Sequence, residues 1–153
     1  MDRQLASSMV KSPYVADPDM TLHEAIEYME ECNIRHLPVT DHGKLMGLVS
    51  ERDVREALGF EREKPLALRD IMRTQVFTVS SFASLRDVVL EMAEHKYGSV
   101  VITNPKKEVL GIFTTIDALR ILADLLDKEE MAEVISLEDY IETWTQRPHP
   151  ASP

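Results

Sequence analysis

A chain of 153 residues that is 44% hydrophobic can bury a sizeable core and is too apolar to be disordered. Its 17 basic and 27 acidic residues give a net charge of −10, which repels phosphate polymers and argues against nucleic acid as a partner. The single cysteine, Cys32, excludes an internal disulfide; the first ten residues hold no signal-peptide run, and no stretch reaches the ~20 apolar residues of a membrane span, so a cytoplasmic location away from membranes is expected.

Residues 1–8 form an N-terminal segment. A short extended piece follows at Tyr14-Val15-Ala16. Thr21-Leu22-His23-Glu24 is a capping-box pattern, and Leu22, Ala25, Ile26 and Met29 share one face behind it, which predicts a helix. Two strands are predicted at His36–Thr40 and Leu45–Val49, around the turn residues Asp41-His42-Gly43-Lys44. A second helix starts at Ser50, with Val54, Ala57 and Leu58 on its apolar side. Residues 61–71 are charged, contain Pro65 and read as a linker. The same order then returns: an extended piece at Phe77-Thr78-Val79, a helix opened by Ser84-Leu85-Arg86-Asp87, two strands around Asn104-Pro105-Lys106-Lys107, and a helix from Thr114. Beyond residue 127 an amphipathic helix is predicted from Lys128 to Trp144, followed by a disordered end, Arg147–Pro153, with three prolines.

The return is a sequence repeat. Met9 to Thr40 aligns with Met72 to Thr103 at an offset of 63, pairing Leu22 with Leu85, Met29 with Met92 and Val39 with Ile102. One residue is gained in the hairpin turn, where insertion is tolerated. At an offset of 64, Gly47-Leu48-Val49-Ser50 then matches Gly111-Ile112-Phe113-Thr114, and Asp53 matches Asp117. The repeats are placed at 9–60 and 72–126. Each is small for independent stability, so the two are expected to pack sheet to sheet about a pseudo-two-fold axis.

Two motifs occur in each copy. One is an apolar step into the second strand: Ile34-Arg35-His36-Leu37-Pro38, then Tyr97-Gly98-Ser99-Val100-Val101. The other is Gly-apolar-x-Ser/Thr-x-x-Asp: Gly47 to Asp53, then Gly111 to Asp117. This tandem β-α-β-β-α unit resembles the cystathionine-beta-synthase (CBS) repeat over about residues 9–124. Val101 departs from the pattern where the first copy has Pro38. The resemblance implies an α/β fold of two packed repeats with an extra C-terminal helical tail, a stand-alone regulatory pair. It also implies two pseudo-symmetric clefts that accept AMP, ADP or ATP, with S-adenosylmethionine and NAD as further members of the class.

The residues support such a ligand in their own right. Ser50 and Thr114 sit where a strand becomes a helix, and the unpaired N–H groups there favour phosphate. Asp53 and Asp117, three residues on, can accept both hydroxyls of a ribose diol. The same Ser/Thr-x-x-Asp pattern is also an ordinary helix cap, and both readings stand at this level. Arg35 and His36 occur where the second copy has Gly98 and Ser99; they are either phosphate contacts or solvated surface. Lys11, Arg52 and Lys96 are weaker candidates of the same kind. In the resembled family a cleft often joins the Asp of one repeat to the apolar step of the other, which would group Thr114 and Asp117 with Arg35 and His36, and Ser50 and Asp53 with Gly98 and Ser99. The base is then expected against the first-strand segments, at Ser12 and Tyr14 or at Phe77 and Thr78.

His23, His95 and Cys32 lack a zinc-like spacing, so no metal is expected. No P-loop or nucleophile elbow is present, and no catalytic residue is assigned. The leading expectation is a nucleotide-sensing module, not an enzyme, that acts as a homodimer or on a regulated protein partner reached through the C-terminal tail. The alternative is a structural or protein-interaction module with degenerate nucleotide sites.

Overall fold

A computed structural model describes residues 3–130. The chain divides into two compact units, residues 1–117 and 118–153. The first holds both repeats, in the order β1 (Val10–Lys11), α1 (Leu22–Cys32), β2 (His36–Asp41), β3 (Lys44–Ser50), α2 (Glu51–Leu58), α3 (Leu68–Ile71), β4 (Thr78–Val79), α4 (Leu85–His95), β5 (Ser99–Thr103) and β6 (Val109–Thr114), and α5 begins at Thr115 and runs to Glu130. The α/β class and the paired repeat are as expected.

Local chemistry explains the elements. Thr21 Oγ1 accepts from the Glu24 N–H (3.2 Å) while Glu24 Oε2 accepts from the Thr21 N–H (2.8 Å), which starts α1. Leu22, Ala25, Ile26 and Met29 are buried along its inner face. The helix stops at Asn33, and α4 stops at the equivalent Lys96; both take left-handed backbone, at φ 52° and 58°. His42 and Gly43, at φ 50° and 78°, close the two-residue β2–β3 hairpin as a turn with positive φ at both central residues requires.

Sheet topology shows how the repeats combine. One sheet runs β1-β6-β5-β4, and the second is the β2-β3 hairpin. The second is flanked by two single bridges, Ala16 with Val39 and Leu48 with Arg73, which are the repeat equivalents of the β4–β5 and β1–β6 pairings. Thus the stretch before each first strand lies on the other repeat. Residues 3–11 cover the second half: Leu5 N–H donates to the Ala83 carbonyl and Leu85 N–H to the Arg3 carbonyl. Residues 66–73 cover the first half through Leu22 N–H to the Leu66 carbonyl and Leu68 N–H to the Met20 carbonyl. Leu5 and Leu68 are both fully buried, each worth about 2 kcal/mol of apolar transfer. Glycines let these stretches approach: a Cβ on Gly47 would stand 2.7 Å from Met72 Sδ, and one on Gly111 2.5 Å from Met9 Sδ.

Residues 61–71 therefore hold more than a connector, since α3 and buried Leu68 lie within them. In the second unit, taken by itself, the described part of α5 carries Leu119, Leu122, Leu125 and Leu126 at 47–60% exposed. The helix expected over Lys128–Trp144 and the disordered end lie, beyond Glu130, outside the described residues.

Candidate ligand-binding cleft

A cleft of about 680 Å³ opens between the halves of the first unit. That is within the ~300–1,000 Å³ of small-molecule sites. The first repeat contributes Arg35, His36, Ser50 and Asp53; the second contributes Gln75, Val76, Phe77 and the Tyr97-Gly98-Ser99 step.

At its floor, the start of α2 is closed by a capping box. Asp53 N–H donates to Ser50 Oγ and Ser50 N–H donates to Asp53 Oδ2, both at 3.1 Å. The cap reading is thus correct, and it leaves Asp53 Oδ1 facing elsewhere: Arg73 Nη2 donates to it at 3.3 Å. Burial alone would raise the Asp53 pKa; the Ser50 hydrogen bonds and the Arg73 guanidinium together outweigh burial and hold it below the usual carboxylate value.

His36 is half-buried beside this cap. Burial lowers its pKa, the Asp53 charge opposes that shift, and the Arg35 charge adds to it. Its ring occupies the space that a side chain on Gly98 would need. Next to it, Ser99 is 5% exposed and its Oγ has no hydrogen-bond partner among the described residues. A buried hydroxyl left unpaired costs about 1–3 kcal/mol, so this position marks a polar defect in the wall of the cleft. Aromatic rings form one wall: Phe77 stacks on Tyr97 at 5.2 Å, and Tyr97 on His95 at 5.2 Å.

The rim is basic. Five cationic side chains line the cleft, adding Arg52, Arg55, Arg73 and Lys96 to Arg35, against three carboxylates, Glu51, Asp53 and Glu56. Arg55 is held by Glu30 (2.8 Å) and Glu51 (2.9 Å), and Arg35 lies 4.0 Å from Glu51. A cleft with surplus positive charge in a chain of net charge −10 suits a small anion.

The structure groups the expected residues differently from the sequence reading in one respect. Ser50 and Asp53 do meet Gly98 and Ser99, but Arg35 and His36 line this same cleft. The hairpin causes this: His36 pairs with Ser50 across β2–β3, and Glu51 N–H donates to the Arg35 carbonyl at 2.8 Å. Thr114 and Asp117 make the equivalent cap at α5, with Thr114 N–H and Oγ1 each 2.9 Å from Asp117 Oδ2, and do not line this cleft. Ser12, Tyr14 and Thr78 also lie outside its lining. Ser12 has φ 48° and donates its N–H to the Leu110 carbonyl; Tyr14 meets Tyr28 edge-on at 5.9 Å; Thr78 pairs with Val101. Arg73 was missed. The available signal was its place at offset 63 from Val10, a charge where the other copy has valine.

The described residues form a paired β-α-β-β-α fold with a polar cleft at a helix start, the architecture of a tandem ligand-binding repeat. Two stretches of the chain, residues 3–59 and 68–124, match the CBS domain family model, and the chain belongs to that family. It is 28% identical over 114 residues to the uncharacterized protein MJ1232 of Methanocaldococcus jannaschii, covering 74% of this chain. The chain spans 38% of the length of that curated relative, and 20–21% of two others. Among solved structures, a putative acetoin utilization protein (AcuB) from Vibrio cholerae aligns with TM-score 0.77 at 32% identity, covering 85% of this chain and 98% of that one. The CBS domain pair of protein MJ0100, in complex with 5′-methylthioadenosine and S-adenosyl-L-methionine, aligns with TM-score 0.74 at 26% identity, covering 81% and 98%. Among the described residues, no helix is long and apolar enough to cross a membrane.

Proposed function

We propose that this chain senses an adenosine nucleotide, AMP, ADP or ATP, in the cleft built on Asp53, and passes the binding event to a partner or across a homodimer without catalysing a reaction. The observation that carries this reading is the meeting of a capped helix start, a carboxylate and a basic rim in one cleft between the two repeats. Asp53 supplies the ribose acceptor, the start of α2 and the basic rim take phosphate, and the Phe77–Tyr97 wall takes the base. The adenosyl ligands of the MJ0100 pair support the class of ligand.

Because the cleft takes walls from both repeats, a ligand that binds it alters how the repeats are held together, and a partner that reads their arrangement is regulated by mass action. The exposed leucines of α5 support a second copy as that partner. Such a sensor works in the cytoplasm, where its ligands are made. Calorimetric titration with AMP, ADP, ATP, NAD and S-adenosylmethionine tests the reading. Saturable one-to-one binding of at least one adenosine nucleotide is expected, and no heat with any of the five removes the sensing role.

A further inference from the structure

The two repeats share the Ser/Thr-x-x-Asp cap but not what surrounds it. Around Asp53 the cleft carries Arg52, Arg73 and Lys96. The sequence-equivalent positions in the other repeat are Ile116, Val10 and Asn33, none of them charged. Arg73 is distinctive among the three because it touches the proposed ribose acceptor. Its backbone is fixed by two hydrogen bonds with Leu48, each 3.0 Å, so the side chain starts from a rigid edge of the β2–β3 hairpin. Its guanidinium occupies Asp53 Oδ1, the carboxylate oxygen that the cap leaves over.

A ribose diol needs that oxygen. Resting on the adenosine-nucleotide reading above, we infer that Arg73 is the residue that selects a phosphorylated ligand at this cleft. A nucleoside without phosphate must displace the guanidinium from Asp53 and gives it nothing in return. A nucleotide displaces it too, but its phosphate offers the freed guanidinium a charge-assisted, bidentate partner in the same cleft. Arg73 therefore opposes adenosine and favours AMP and ATP, with Arg52 and Lys96 adding to the second effect. The side chain is 73% exposed and free to swing, and its pairing with Asp53 is not a folding requirement. The equivalent position in the other repeat is Val10, which carries no charge.

The test is titration of wild type and Arg73→Gln with adenosine, AMP and ATP, after thermal melts show that both are folded. In Arg73→Gln, AMP and ATP should bind roughly ten- to a hundred-fold more weakly, while adenosine binds more tightly than to wild type. AMP affinity that does not fall, or adenosine affinity that does not rise, overturns the selector role while leaving the nucleotide reading in place. Wild type that binds none of the three ligands removes that reading as well, so the two failures are told apart.

Discussion

The His36 ring fills the space that a side chain at Gly98 would need: a Cβ there would lie 2.8 Å from His36 Nε2 and 3.2 Å from Cε1. The two residues come from different repeats, so the contact joins the halves at the cleft. Gly98→Ala should cost about 1–3 kcal/mol, as overpacking of a fitted site does. Much of that loss should vanish when His36→Ala is added, because the obstructing ring is gone. Urea denaturation of the two single variants and the double variant measures the coupling. Strictly additive losses would show that the ring moves aside freely.

His36 also predicts a pH dependence. Its pKa in the folded state is below the ordinary value, mainly through burial, so the folded protein resists protonation there. The unfolded chain takes up that proton near pH ~6.5. Stability is therefore fully retained above this value and falls as pH drops through it towards the lower folded pKa. His36→Gln should flatten the fall. Asp53, also lowered, acts in a separate window: its contribution persists above the ordinary carboxylate pKa and is lost only as pH falls below it through the folded value. Denaturation midpoints between pH 5 and 7.5 for wild type and His36→Gln separate the two, and identical slopes would count against a buried neutral His36.

The two carboxylates should differ in ligand binding. Asp53→Asn should weaken AMP by roughly ten- to a hundred-fold, the worth of a charge-assisted hydrogen bond. Asp117→Asn, outside the cleft, should leave AMP affinity within a few-fold. Both should cost about 1 kcal/mol of stability through their caps. If Asp117→Asn proved the more damaging to AMP binding, the nucleotide would belong on the other repeat.

Lys96 sets stability against binding. It holds φ 58° at the end of α4 and lines the cleft. Lys96→Gly should raise stability by about 1 kcal/mol, because left-handed backbone is unfavourable for a residue with a Cβ. The same change should weaken ATP several-fold by removing a phosphate partner. Melting and titration of one variant check both signs.

The leucines on α5 give a test of assembly. A Leu122→Glu/Leu126→Glu variant should sediment as a monomer where wild type sediments as a dimer, since two charges would enter the apolar contact. An unchanged sedimentation coefficient, or a monomeric wild type, would move dimer formation off this face.

Much of the fold was legible because the same constraints act twice. Leu22 and Leu85, or Asp53 and Asp117, keep one register through a single insertion, and periodic apolar faces set α1 and α4. The crossing of residues 3–11 and 66–73 onto the opposite repeats was not legible. Each stretch is short, and nothing in an isolated leucine says which repeat will bury it, although Leu5 and Leu68 do stand 63 residues apart. In the cleft, the Ser50–Asp53 pair was readable from its motif, and its meeting with Gly98 and Ser99 was implied by the resemblance to the family. Arg35 and His36 were expected beside Asp117; they line the cleft with Asp53 because hairpin closure pairs His36 with Ser50. Arg73 lies outside both motifs, and its contact with Asp53 emerges only in three dimensions.

That Leu5 and Leu68 each settle in the opposite repeat has a consequence for what can exist alone. A polypeptide holding a single repeat would carry a leading leucine with no home and an unfilled slot shaped for another. Two such polypeptides would satisfy each other, each lending its first residues to its neighbour. One copy by itself would be left with both defects, and the indivisible folding unit is the pair, whether its members are joined by a peptide bond or held together as separate chains.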